Sequence, residues 1–338
     1  MRPLKIILAA GFVAFPLLLI GIWYAVTQPL FGTTRSLATV PPANTRELQR
    51  HVEALVGNLT PRDWEHPRNL ERAADYIRQQ LTSAGARVYV QTYQMAGNDY
   101  HNVVGQFGPP KMERVIIGAH YDAAEAFPGA DDNASGLAAL LELARILGEA
   151  PVPGSIELVA YTLEEPKDPG EPGLFRSSFG GSTNHVRHLL ESGVSVKASI
   201  VLDMIGYYSD EEGSQEFPSA LMRPFYPSRG DFIAILGRTD QGHVVRQIKA
   251  AMRTGSRLPI YSISLPYSMV GLVGLDKSDH LNYWKAGFPA VQITDTAFMR
   301  NKKYHKVGDT ADRLDFTRMG MVVESLYAAV RALAQDAE

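Results

Sequence analysis

His120, Asp132, Glu165, Asp203 and His305 are side chains of the kinds that ligate divalent metals, and each falls where an apolar run stops. Asp122 and Glu164 sit beside two of them. Residues 115–122 (VIIGAHYD) form a β-like run ending in His-x-Asp, and 128–136 (PGADDNASG) form a Gly/Pro turn opening a helix. Residues 156–165 (IELVAYTLEE) read as a strand ending in two glutamates, 200–203 (IVLD) as a strand ending in aspartate, and 303–310 as a polar loop carrying His305. In open α/β sheets, sites form where the carboxyl ends of parallel strands meet. Histidines and carboxylates gathered there suit hydrolysis assisted by bound metal.

Taken singly, each signal has an ordinary explanation. His-x-Asp pairs occur on plain surfaces, the run Asp131, Asp132, Asn133 suits a helix cap, and Glu164-Glu165 suits a solvated loop entrance. Asp131, Asn133, Ser135, Gly136 and Glu142 also match a calcium-loop spacing. The apolar stretch 137–141 (LAALL) inside that spacing belongs to a buried helix face and argues against it. His185 and His188 form H-x-x-H with no glutamate alongside, and read as surface or packing residues. Taken together, Asp132, Glu164, Glu165 and Asp203 bring four negative charges to one place, which two divalent cations balance. A pair of metals needs a bridging carboxylate, and Asp132 is the best placed.

The elements that would position these groups follow from periodicity. Helical spacing begins near Thr45, returns over 70–84, is strong over 134–148, and recurs near 242–253, 278–286 and 316–334. β-like runs cover 88–93, 102–107, 114–119, 156–162, 198–203, 231–237 and 288–294. Alternating strands and helices imply a largely parallel sheet covered by helices. Two stretches are long for loops, 166–181 and 209–230. The first leaves directly from Glu165 and is expected to line the substrate entrance. The second carries an acidic run, Glu211, Glu212 and Glu216, and that run reads as a solvated surface.

The chain has 338 residues, a net charge of -3 and no cysteine. Nothing in that balance points to nucleic acid, and thiolates cannot hold a metal. Residues 6–27 are uncharged after a basic start at Arg2 and Lys5, long enough as a helix for roughly 30 Å of hydrocarbon. Trp23 and Tyr24 lie near its far end, and no small-residue cleavage site follows. The expected organisation is a signal-anchor transmembrane helix over 1–27, a Pro-containing linker over 28–44 and a catalytic domain over 45–338. The domain would face the extracytoplasmic side.

The order H-x-D, G-A-D-D-N-A-S-G, E-E, L-D-M, S-D-H and H-x-x-x-D-T resembles the zinc-dependent exopeptidase family of the secreted bacterial leucyl aminopeptidases. That family also contains glutamate carboxypeptidase and the glutaminyl cyclases. The resemblance runs from about Leu48 to the C-terminus. It implies a phosphorylase/hydrolase-like three-layer α/β/α fold with a mixed, largely parallel central sheet, two zinc ions and peptide substrates. It implies one metal on His120, Asp132 and Asp203 and the other on Asp132, Glu165 and His305. Glu164 would be the general base, Asp122 the partner of His120, and the bond between Asp132 and Asn133 cis. The chain departs from the family pattern twice. A Pro/Gly-rich stretch separates Glu165 from Ser182, and Leu275 stands where a tyrosine often assists the oxyanion. Tyr207, Tyr208, Tyr261 or Tyr267 is a candidate to stand in for that tyrosine, and the sequence does not choose among them. The rivals are a one-zinc glutaminyl cyclase, whose pattern lacks the first histidine, and a non-catalytic ectodomain, which would lose ligands.

Overall fold

Ala96 and Gly97 both adopt positive φ (50° and 80°), the conformation a two-residue hairpin turn demands. They join β1 (Arg87–Met95) to β2 (Asn98–Phe107) as an antiparallel ribbon at one edge of the sheet. The computed structural model describes residues 12–21 and 40–335. Within them the chain builds one eight-stranded sheet in the order β1-β2-β4-β3-β5-β8-β6-β7. Here β3 is Glu113–His120, β4 Ile156–Tyr161, β5 Ser195–Leu202, β6 Ile233–Arg238, β7 Ile260–Leu265 and β8 Ala290–Thr294. The four central strands β4, β3, β5 and β8 run parallel, while β2 and β6 pair antiparallel to β4 and β8.

The central strands are buried on both faces, so they read as continuous apolar runs rather than alternating ones. One face is covered by α2 (Thr45–Val56), α3 (Pro67–Ser83), α4 (Gly136–Glu149), α6 (Gly242–Gly255) and α9 (Phe316–Gln335). The other packs against α5 (Gly181–Glu191), the short α7 (Tyr267–Val270) and α8 (His280–Lys285). The expected three-layer α/β/α arrangement with a mixed, largely parallel sheet is therefore what forms. One strand, β7, lay outside the expected set. Its sequence IYSISL sets two serines among its apolar residues and so lacks the apolar density that marks the other strands. Ser262 and Ser264 are nonetheless buried.

Residues 12–21 are helical, here α1, and Phe12, Leu17 and Ile20 are exposed. Among the described residues, no helix is long and apolar enough to cross a membrane. The rest of the expected anchor, and linker residues 28–39, lie outside the described residues.

Candidate metal centre

Parallel central strands deliver their last residues to one edge. β3 ends on His120, β4 on Tyr161 three residues before Glu164, and β5 on Leu202 immediately before Asp203. Leu163 and Met204, with φ of 59° and 53°, turn the chain sharply at those two ends. All seven predicted residues meet here. Six are buried, and His305 alone is part-exposed.

Asp122 ties two strand ends together. Its Oδ2 accepts the backbone N–H groups of Glu164 and Glu165 at 2.9 and 3.0 Å, and its Oδ1 lies 3.5 Å from His120 Nδ1. Asp132 arrives on the turn before α4, and its peptide bond to Asn133 is cis. Asn133 anchors that turn to β5, donating to Leu202 O and accepting from Met204 N–H. Its neighbour Asp131 points elsewhere, to Gly206 N–H and the Asn301 amide.

The two oxygens of Asp132 face two different groups. Oδ1 lies 3.4 Å from His120 Nε2, which is also 3.8 Å from Asp203 Oδ1. Oδ2 lies 3.0 Å from His305 Nε2, which is 3.0 Å from Glu165 Oε2. Donor atoms of His120, Asp132 and Glu165 fall within 4.8 Å of one another, as do those of His120, Glu164 and Asp203. Yet both ring nitrogens of His120, Asp132 Oδ2, Glu165 Oε1 and His305 Nε2 make no hydrogen bond. Buried polar atoms are almost always paired, so several orphans converging at one point fit a cation site. The donor set, imidazole nitrogen and carboxylate oxygen, is one that zinc accepts.

The electrostatics of the cluster agree. Burial and then neighbouring carboxylates push Glu165 up to about 7 and Glu164 well above the usual carboxylate range. Burial opposes ionisation of His305, but Glu165 and Asp132 outweigh it and drive its pKa up to about 11. For Asp132 burial is overcome by His120 and His305, which hold it below its ordinary value. The cluster thus retains protons wherever positive charge is lacking, which is the behaviour a divalent cation would relieve.

Several contributors escaped the sequence reading. Asp309 accepts the backbone N–H groups of Asp131 and Asp132, fixing the turn that presents Asp132. It closes the H-x-x-x-D-T stretch, so its spacing from His305 was the available signal. Arg62 is fully buried and donates to Leu55 O, Tyr121 O and Gly129 O, a cation beneath the carboxylates with no motif around it. Asp279 is buried near the site, with its pKa raised to about 7 by burial. Tyr304 stacks on His305 with ring centroids 3.8 Å apart. His185, read as surface or packing, is fully buried between Glu157 and Tyr283, and it takes no part in the cluster.

Beside the cluster opens a cleft that shares Asp132, Glu164 and Asp203 with it. The expected loop 166–181 contributes nothing to its lining. The wall includes instead Glu216, Phe217, Met222 and Tyr226 of the other long stretch, 209–230, of which only Glu216 belongs to the acidic run read as a solvated surface. Of the four substitute tyrosines only Tyr261 reaches the cleft; Tyr304, which was not among them, also lines it.

Residues 102–330 match the model of peptidase family M28. The chain belongs to that family and is, by that membership, a metallo-exopeptidase. It is 44% identical over 293 residues to the protein YfbL of Escherichia coli K12, covering 84% of this chain and 87% of that one. It is 25% identical over 261 residues to leucine aminopeptidase 1 of Fusarium vanettenii, covering 72% of this chain but 58% of that longer protein. The fold matches BSAP, a zinc aminopeptidase of Bacillus subtilis, with a TM-score of 0.67 at 15% identity, over 87% of this chain and 95% of that one. It also matches a Bacteroides thetaiotaomicron glutaminyl cyclase, with a TM-score of 0.63 at 20% identity, over 87% and 99%.

Proposed function

We propose that this chain is an aminopeptidase holding two zinc ions, which removes N-terminal residues from peptides. The observation that carries the reading is the division of Asp132. Oδ1 faces His120, whose Nε2 also approaches Asp203, and Oδ2 faces His305, whose Nε2 also approaches Glu165. Those are two three-residue ligand sets sharing one bridging carboxylate.

Zinc there would supply acidified water and polarise the scissile carbonyl. Glu164, buried and lining the cleft, takes the water's proton and passes it to the departing amine. Asp122 orients the His120 ring and holds the Glu164 and Glu165 backbone in place. The Tyr304 hydroxyl, kept protonated by burial and nearby carboxylates, is a donor for the carbonyl oxygen as charge develops on it. A one-zinc cyclase would leave His120 without a role, and a non-catalytic domain has no reason to keep all five ligands and Glu164.

The uncharged run 6–27 supports an anchor, with the catalytic domain on the extracytoplasmic side. Sedimentation with membranes is then expected, and a mature N-terminus at residue 30 or later would replace the anchor with a cleaved signal.

Elemental analysis after dialysis against trace zinc tests the metal count. Two ions per chain are expected, falling to one in His120→Ala and in His305→Ala. One ion in the wild type with His120→Ala unaffected would overturn the dinuclear reading. Aminoacyl, carboxyl-terminal and N-terminal glutaminyl peptides, each with and without chelator, separate aminopeptidase from carboxypeptidase and cyclase.

A further inference from the structure

Arg62 lies in the connection between α2 and α3, remote in sequence from every ligand, and it is fully buried. A buried guanidinium needs acceptors, because an unpaired charge in the interior is costly. Its hydrogen bonds end on backbone carbonyls of three separate segments. Nη1 donates to Leu55 O of α2 at 2.6 Å, Nε to Tyr121 O at 2.9 Å and Nη2 to Gly129 O at 3.1 Å. The carbonyl of Arg62 in turn accepts Ala123 N–H at 2.9 Å.

Two of those segments carry ligands. Tyr121 separates His120 from Asp122 at the end of β3. Gly129 opens the turn that presents Asp132, and its carbonyl also accepts Ala134 N–H from beyond that residue. A Cβ on Gly129 would stand 3.2 Å from Arg62 Nη2 and 2.4 Å from Asp132 O, so the turn and the guanidinium pack tightly together. The third arm is fixed to α2, whose Leu55 is buried in the core. One planar fork therefore sets the separation of His120 and Asp132, whose facing atoms lie 3.4 Å apart. None of its bonds reaches Glu165, Asp203 or His305.

Charge and grip act in opposite directions here. Burial lowers the pKa of Arg62 to about 10, with Asp122, Asp309, Asp132 and Glu165 opposing that fall, so it stays charged at neutral pH. A fixed cation near the site repels an arriving divalent ion. What Arg62 contributes to metal binding is therefore geometry. We propose that Arg62 is a positioning residue for the His120 half of the metal centre, setting the spacing of His120 and Asp132 before metal arrives. This rests on the two-zinc reading. Arg62 does not line the cleft, so no contact with substrate is involved.

Chelator competition on the zinc-loaded full chain should show one of the two ions weakened by about 10–100-fold in Arg62→Met, the scale for groups that orient metal ligands. Arg62→Lys keeps the charge but presents a point donor in place of a fork, and should lose a similar amount. With cobalt(II) in place of zinc, the visible absorption of that ion should change and the other's should not. In His120→Ala, where that ion is already lost, adding Arg62→Met should alter affinity for the remaining ion by no more than about threefold, because the two residues act on one site. Should the variants fail to fold, the wild type decides. In the zinc-free chain the Arg62 Nε–H should exchange slowly with solvent, because its grip precedes the metal. Fast exchange there, unchanged affinity in both variants, equal weakening of both ions, or Arg62→Lys matching the wild type overturns the inference and leaves the two-zinc reading standing. One ion per wild-type chain removes both.

Discussion

Two long loops leave the ligand-bearing strands, and they do opposite jobs. The loop 166–181 begins at Glu165, yet it turns back on itself. Leu174 and Phe175 donate their N–H groups to the carbonyls of Glu165 and Glu164, and Asn282 holds Phe175 O. Trp64 caps the outgoing arm through Lys167 O. A Cβ on Gly173 would collide with Glu164 O, so the return depends on that glycine. The loop 209–230 starts farther from the ligands but lies along the cleft and walls it with Phe217, Met222 and Tyr226. Adjacency in sequence to a candidate catalytic group therefore does not identify the loop that walls the cleft. Where the loop's own backbone hydrogen bonds go decides it.

The largest expected effect tests what the first loop clamps. Glu164→Gln should cut kcat by roughly 10²–10⁴-fold with metal content retained, the range for losing a general base. Near-normal turnover would remove Glu164 from the chemistry and leave the clamp with nothing to position.

Next comes the clamp's other side. Asp122→Ala frees the two N–H groups of Glu164 and Glu165 and loosens His120, so kcat should fall by about 10–100-fold, as for partners that orient metal ligands. Asp122→Asn keeps an acceptor oxygen and should recover part of the loss. Equal rates for the two variants would show that the carboxylate's charge, rather than its grip on the glutamates, matters.

Stability gives a control outside both loops. His51 on α2 is buried, and burial first and Arg50 second lower its pKa to about 4 from 6.5. The unfolded chain takes up the proton at higher pH than the folded one. Stability is thus intact above pH 6.5 and declines as pH falls towards 4. The loss should be on the order of 2 kcal/mol in urea denaturation at pH 4 against pH 7, and smaller in His51→Gln. An identical pH dependence in that variant would place the acid sensitivity elsewhere.

The smallest effect separates the loops most directly. Removing the exposed tip 168–172 of the first loop should leave the ranking of N-terminal side chains unchanged to within about twofold, since none of it lines the cleft. A reordered ranking would restore that loop as part of the entrance.

Much of this protein was legible without coordinates. The apolar runs broken by His120, Glu164, Glu165 and Asp203 marked strand ends, because parallel strands buried on both faces leave polar groups only where the chain emerges. The same logic placed the helices that cover the sheet, and the joint spacing of the motifs pointed to the family. The inward contributors were hidden for a reason. Arg62, Asp309 and Tyr304 act through contacts 59, 177 and one residue away in sequence, and nothing in residue type distinguishes a buried partner from a surface one. β7 lacked the apolar density of its neighbours, though its serines are buried all the same. The division of Asp132 between two histidines, and the choice of which loop walls the cleft, arise only when distant segments are brought to ångström separations. The sequence determined which chemistry could be assembled; packing decided which groups face one another across the site.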